Sequence, residues 1–167
     1  MHIFDLAKTK DGLEKACEYV KKLVAGGGKV LFVATKKQAA EFVKNEAIRV
    51  GMPYVTVRWM GGFLTNHDHL FKSMKKLSDN KAKREAGEFK KYTKKERLLI
   101  DRDITKLEKF FGGVMSLSGL PDALFIVDTH REDVAVKEGF RVNVPVVGIV
   151  DTNSDPNEVD FAIPAND

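Results

Sequence analysis

KVLFVAT, residues 29–35, is a short apolar run with the composition of a buried β-strand. Three glycines at residues 26–28 come directly before it, and a helical pattern follows it. A run that is apolar on both faces is typical of a strand in a parallel sheet, where helices cover both sides. This run therefore predicts the first strand of an α/β domain.

The residues on either side of this run repeat the same alternation. Apolar residues at helical spacing predict helices at residues 11–25, 36–50 and 132–142, with Asp11 as the N-cap of the first. Further apolar runs predict strands at residues 54–59, 123–129, 145–151 and 161–165. Strands that alternate with helices imply right-handed crossovers and a parallel sheet. We expect a doubly wound α/β domain with about five strands.

The segment at residues 64–113 departs from this alternation. It holds 14 Lys and Arg against 8 Asp and Glu, a net charge of +6, whereas the rest of the chain has a net charge of −2. Two sets of apolar or aromatic residues have the three-four spacing of a coiled-coil seam: His67, Leu70, Met74, Leu77, and Ile100, Ile104, Leu107, Phe111. With Thr93 as a possible cap, the pattern predicts an antiparallel helical hairpin whose arms reach roughly 30 Å. We expect residues 1–63 and 114–167 to form the α/β core and 64–113 an insertion.

Composition limits the class of protein. The 167 residues suffice for one compact domain. No apolar run approaches the roughly 18 residues of a membrane helix, and the first residues lack a secretory signal pattern. Cys17, the single cysteine, has no partner for an internal disulfide, which favours a reducing compartment such as the cytoplasm. Its place in a helical pattern predicts a buried, inert thiol.

The carboxyl ends of parallel strands are where α/β domains bind ligands. Asp128 and Asp151 lie at the carboxyl ends of two of the predicted strands and would be the metal-binding carboxylates of a phosphate- or nucleotide-handling enzyme. However, no strand is followed by a phosphate-binding glycine loop, and no nucleophile elbow is present. The histidines and Cys17 lack metal-ligand spacing. We therefore expect no enzyme activity, no cofactor and no bound metal.

RWMGGFLTN, residues 58–66, begins with the last two residues of the second predicted strand. Arg58 and Trp59 would reach the carboxyl edge of the sheet, where an Arg meets phosphate and a Trp stacks on a base. The glycine pair at residues 61–62 allows positive φ, and Thr65 or Asn66 would cap the next helix. Alternatively, Trp59 only packs the root of the hairpin onto the sheet. The residues alone leave both interpretations open.

Several motifs together resemble the ribosomal protein S2 family in its bacterial or organellar form. RWMGGFLTN is similar to that family's R-W-x-G-G-x-L-T-N stretch, and residues 121–145, PDALFIVDTHREDVAVKEGFRVNVP, are similar to its second signature. That second match includes Asp128 and Glu138. HIFDLAKT near the start and VDTNSDPNEVDFAIPAND at the end continue the resemblance over essentially the whole chain.

The resemblance implies a flavodoxin-like sheet with a protruding coiled-coil hairpin and no catalysis. It also implies binding to small-subunit rRNA on the solvent side of the subunit, near the head–body junction, and contact with neighbouring proteins including the large mRNA-binding protein S1. Family members start about thirty residues earlier and continue with a helix beyond this chain. We therefore expect a trimmed core of the family's fold.

These observations predict a structural rRNA-binding protein of the cytoplasmic small ribosomal subunit, with no membrane association and no required homo-oligomer. The enzyme described above is the alternative. Because cations and aromatic faces bind nucleic acid, the candidate RNA-binding residues are Lys36, Lys37, Arg58, Trp59, Asn66, Lys72, Lys75, Lys76, Lys90, Lys91, Lys94, Lys95 and Arg97.

Overall fold

A computed structural model of the chain describes residues 4–166, which contain five α-helices and five β-strands. The helices are α1 (Leu6–Ala25), α2 (Lys37–Arg49), α3 (His67–Glu85), α4 (Lys94–Phe111) and α5 (Asp133–Arg141). The strands are β1 (Val30–Val33), β2 (Tyr54–Val55), β3 (Ala123–Val127), β4 (Val146–Val150) and β5 (Phe161–Pro164). Short 3-10 turns lie at Glu88–Lys91, Gly112–Val114 and Pro156–Glu158.

The strands form one sheet in the order β2-β1-β3-β4-β5, and every neighbouring pair is parallel. Leu31 pairs with Leu124 at the centre of the sheet, and Val147 pairs with Phe161 near its β5 edge. Strand order reverses between β1 and β3, which is the flavodoxin-like form of a doubly wound sheet. The predicted fold class is confirmed.

Helices cover both faces of the sheet because successive side chains of each strand point to opposite faces. Val147 and Ile163 pack under Ala16 of α1, and Val127 packs under Val43 of α2. On the opposite face, the alternate positions of the strands pack against α3, α4 and α5. That cluster includes Leu31, Val33, Leu124, Ile126, Leu70, Leu77, Ile104, Ala135 and Val136. Its central strand residues are fully buried, as expected for strands with helices on both sides.

Two predicted boundaries were wrong. Helix α1 begins at Leu6, because the Asp5 side chain accepts a hydrogen bond from the Ala7 amide and is the N-cap in place of Asp11. Leu6 is largely exposed, so the first turns of α1 carry no apolar stripe that sequence could reveal. Strand β2 ends at Val55, where its carbonyl accepts from the Ala34 amide. Its neighbour β1 ends at Val33, so a longer β2 would have no strand to pair with.

An apolar groove of about 440 Å³ lies between α1 and the residues that follow α2, over Phe32 and Phe125 of the sheet. Cys17 lies at this groove and is exposed, so the prediction of a buried thiol was wrong. The reason is helical phase: Ala16 takes the buried position of this turn of α1.

The two helices predicted for residues 64–113 are confirmed as α3 and α4. Leu70, Met74 and Leu77 of α3 are buried, as are Ile104 and Phe111 of α4, and all belong to one apolar cluster. Helix α4 begins with a capping box, in which Thr93 and Glu96 satisfy each other's backbone amides as the predicted cap requires. The Thr93 amide and hydroxyl lower the pKa of the Glu96 carboxyl by hydrogen bonding to it.

Two ion pairs join α3 to α4, Lys76 with Asp103 at 3.7 Å and Lys81 with Glu108 at 2.5 Å. The Lys81 ammonium lowers the pKa of the Glu108 carboxyl. From the first ion pair to the second, the residue number rises by five on both helices. In antiparallel helices that lie side by side, the residue numbers of facing positions rise on one helix and fall on the other. The predicted coiled-coil hairpin and the boundaries of the insertion stay predictions.

Gly113 connects α4 to the sheet with no room for a side chain. A Cβ at this position would lie 2.3 Å from the Tyr54 carbonyl oxygen and 2.7 Å from its ring. We expect Gly113→Ala to lower the free energy of unfolding by about 1–3 kcal/mol, because the backbone must shift to admit the methyl group. Urea titration followed by circular dichroism measures this change.

Gly112→Ala is the matched control, since its nearest neighbour is at 3.7 Å and its φ of −54° is helical. Stability within about 0.5 kcal/mol of the unchanged chain, or slightly above it, is the expected result. Equal destabilisation of both variants would contradict the close approach of Gly113 to β2.

Candidate nucleic-acid interface

Glu138 is a buried carboxylate on α5 with neutral hydrogen-bond donors around both of its oxygens. It is only 5% exposed. Oε1 accepts from the Trp59 indole N–H at 3.2 Å and from the Gly62 amide at 2.7 Å. Oε2 accepts from the Leu64 amide at 2.8 Å and from the Thr65 amide and hydroxyl at 3.3 and 3.4 Å. We call these five residues the Glu138 anchor.

The anchor explains why RWMGGFLTN has the residues it has. Gly62 has a φ of +85°, a conformation that glycine adopts without strain and that aims its amide at the carboxylate. Trp59 is 7% exposed, and its ring lies 4.9 Å from that of Phe63. The sequence left open whether Trp59 stacks on a base or packs the root of the hairpin. In the structure, Trp59 packs at the root of α3.

Two details of the predicted loop differ from the structure. Asn66 occupies the N-cap position of α3, but its side chain makes no capping hydrogen bond, and Thr65 turns its hydroxyl to Glu138. Gly61 does not share the positive φ of Gly62, and nothing lies within 4 Å of a Cβ built on it. Only the second glycine of the pair therefore has a conformational reason to be glycine.

A second buried carboxylate holds the loop after β1. Glu132, at the N-cap position of α5, is 3% exposed and accepts hydrogen bonds from the Thr35 amide at 3.1 Å and from the Thr35 hydroxyl. The Arg131 guanidinium donates to the same hydroxyl through Nε at 3.0 Å. Thr35 is thereby fixed beside Lys36, the N-cap residue of α2.

The aspartates of the enzyme alternative have turn-forming roles. Asp128 has a φ of +67°, and its Oδ1 accepts from the Arg131 amide at 3.0 Å. Asp151 accepts from the next amide, that of Thr152, at 2.6 Å. Among residues 4–166, no three His, Cys, Asp or Glu side chains are grouped so that they could hold a metal ion. Within the same residues, no helix is long and apolar enough to cross a membrane.

The candidate RNA-binding residues lie in three places. Lys36 and Lys37 begin α2 at the carboxyl edge of the sheet, and exposed Arg58 lies in the loop after β2. Lys76 is paired with Asp103, while Lys72 and Lys75 line a cleft with Ser118 and Gly119. The remaining cations are exposed on the connection between α3 and α4 and on the first turn of α4: Lys90, Lys91, Lys94, Lys95 and Arg97. Trp59, also a candidate, is buried in the Glu138 anchor and does not present its ring to solvent.

Sequence reasoning missed the roles of Glu132 and Glu138, whose partners lie 73 to 97 residues away along the chain. One signal was present for Glu138. It lies on the buried stripe of α5, with Ala135 and Gly139, where an ordinary amphipathic helix has an apolar residue. A carboxylate at such a position requires donors from another element.

The fold and these sites define a class: an α/β protein with a basic helical segment fixed to its sheet and with turn-forming aspartates at the strand ends. Comparison with known families is specific. The model of the family Ribosomal protein S2 matches residues 1–167. The chain belongs to this family.

A curated relative from Roseiflexus sp. (strain RS-1), named small ribosomal subunit protein uS2, is 51% identical over 167 residues. The match includes all of this chain and 64% of the relative.

Glu138→Gln tests the anchor. The substitution replaces one carboxylate oxygen by an NH₂ group that faces donors, so at least one buried amide loses its acceptor. We expect the free energy of unfolding to fall by about 2–3 kcal/mol, together with a red shift of the Trp59 emission. Glu158→Gln, which changes an exposed carboxylate, should leave both quantities almost unchanged. Identical melts for the two variants would show that the anchor does not stabilise the fold.

The glycine pair supplies a matched comparison within the same loop. Gly62→Ala forces an L side chain to a φ of +85° with the Asn66 Cβ at 3.3 Å, so we expect stability to fall by about 1–2 kcal/mol. Gly61→Ala has open space and should change stability by less than about 0.5 kcal/mol. Thermal denaturation of both variants measures the difference. A larger destabilisation by Gly61→Ala would refute this account of the turn.

Proposed function

We propose that this chain is a structural constituent of the small ribosomal subunit and binds its rRNA through the basic segment at residues 64–113. Family membership gives the class of partner. The observation that carries the proposal is the charge of this segment, a net +6 in a chain whose other residues sum to −2. A partner with dense phosphate charge is the one that such a distribution attracts.

Exposure supports the same conclusion. Lys90, Lys91, Lys94, Lys95 and Arg97 are exposed and occupy one short stretch between the end of α3 and the first turns of α4. Lys76 and Lys81, by contrast, have carboxylate partners on α4. We propose that the exposed cations at the connection bind most of the phosphates, and that Lys76 contributes less because its charge is already compensated.

The Glu138 anchor gives the basic segment a fixed position relative to the sheet. Binding to a structured RNA costs less when the cations do not have to be ordered at that moment. The backbone amides of Gly62, Leu64 and Thr65 donate hydrogen bonds to Glu138 of α5. These bonds fix the direction in which the chain enters α3. We propose that Lys36, Lys37 and Arg58 bind more weakly near this root, and that Asn66 offers its side-chain amide there.

The wider setting follows from the family and is part of the proposal. We propose a place in the cytoplasmic small subunit, beside other subunit proteins including the mRNA-binding protein S1, without a cofactor or a required homo-oligomer. The chain spans 64% of the length of the curated relative. Catalysis at Asp128 and Asp151 is not favoured, since both carboxylates are engaged with backbone amides of their own turns.

Replacing Lys90, Lys91, Lys94 and Lys95 with Gln tests the main interaction. We expect weaker binding to small subunits depleted of this protein. The log–log salt slope should fall by roughly one unit or less for each lysine–phosphate pair that the substitutions remove. Sedimentation at several salt concentrations measures both.

The matched control removes four exposed lysines from α1 and α2, on the opposite face of the sheet: Lys8, Lys10, Lys21 and Lys44. It changes the net charge equally and should alter the slope little. If both variants weaken binding by the same amount, only the total charge matters, and the proposed location of the interaction is wrong.

A further inference from the structure

A cleft of about 600 Å³ lies at the root of α3, between its first two turns and the loop at residues 118–119. We call it the α3 cleft. Its lining residues are His67, Asp68, Phe71, Lys72, Lys75, Ser118 and Gly119. This volume is within the range of small-ligand sites. These residues bring an aromatic ring, an imidazole, two cations, a carboxylate and a hydroxyl to one cleft.

We propose that the α3 cleft binds one unstacked nucleotide of the rRNA, from a loop or a bulge. The cleft would thereby recognise an unpaired base, whereas the lysines of the connection contact only phosphates. This inference rests on the proposed function. It adds a second, different kind of interaction at the root of α3.

Aromatic geometry gives the first argument. The rings of His67 and Phe71 lie one helical turn apart, with centroids 6.1 Å from each other and planes at 88°. A base that stacks on one ring therefore meets the other ring at a right angle, so the two rings form a corner. Proteins bind unpaired bases by stacking them on such side chains, whereas bases within a duplex have no exposed face to offer.

Charge gives the second argument. Lys72 and Lys75 are three residues apart, on one side of α3, and both are exposed at the cleft. Two ammonium groups at this spacing suit the phosphates on either side of a splayed nucleotide. The first amides of α3 add partial positive charge, because a helix does not satisfy them internally and the Asn66 side chain does not cap them.

Hydrogen-bonding groups give the third argument. The Asp68 carboxylate, 3.2 Å from the His67 imidazole, disfavours a free phosphate in its immediate surroundings but accepts from base N–H groups or a ribose 2′-hydroxyl. The Ser118 hydroxyl lies on the opposite wall. Gly119 leaves that wall open, since nothing lies within 4 Å of a Cβ built on it. A nucleoside with its phosphates fits this mixture better than an isolated anion.

Two variants separate stacking from charge. Phe71→Leu keeps an apolar side chain against the core but removes the ring, so we expect about tenfold weaker rRNA binding with an unchanged salt slope. Lys72→Gln with Lys75→Gln should weaken binding and reduce the slope by up to about two units. Lys8→Gln with Lys21→Gln, two exposed positions of α1 outside the basic segment, is the control, and thermal melts confirm that all variants fold.

Photo-crosslinking locates the interaction directly. With rRNA carrying 4-thiouridine, we expect crosslinked peptides from residues 67–75 in the unchanged chain and their disappearance in Phe71→Leu. Normal rRNA binding by Phe71→Leu, or crosslinks that fall only outside the cleft, would overturn the cleft and leave the proposed function intact. No rRNA binding by the unchanged chain would overturn the proposed function itself.

Discussion

The carboxylate of Glu138 is the interaction on which the arrangement of this molecule depends. A charged group removed from water is stable only when donors replace its hydration. Here every donor comes from the loop that leads from β2 into α3. The electrostatic requirement of one side chain thereby fixes the conformation of a loop that has no regular secondary structure between Val55 and His67.

Helix α5 fastens two loops, not one. Its N-cap residue Glu132 holds Thr35 after β1, and Glu138, almost two turns later, holds the loop after β2. Both loops leave the same pair of neighbouring strands. In the chain, α5 connects β3 to β4. Its two carboxylates therefore link the β2–β1 side of the sheet to the β3–β4–β5 side, across the point where strand order reverses. In many α/β proteins this crevice holds a ligand, whereas here part of it is taken by side chains of the protein itself.

Local sequence patterns predicted most of the fold, because each pattern reports a local cause. Apolar runs predicted five strands along the chain, and the cap predicted at Thr93 marks the start of α4. Errors arose where the cause was distant. Strand β2 is short because its neighbour β1 ends at Val33, and Cys17 is exposed because Ala16 takes the buried phase. The Asn66 side chain does not cap α3, and the Thr65 hydroxyl beside it bonds to Glu138. The cations could be named from sequence, but only their surroundings distinguish Lys76, which is paired, from Lys72 and Lys75, which line a cleft.

The loop that holds the donors of the Glu138 anchor is far from Glu138 along the chain, and this separation has a consequence for folding during synthesis. Gly62 leaves the ribosome 76 residues before the carboxylate that holds it. Closing so long a loop is entropically costly until other contacts have formed. Helices α3 and α4 are synthesised before the carboxylate that fixes their root. Only when β3 and α5 have joined the sheet can Glu138 hold the loop that leads into α3.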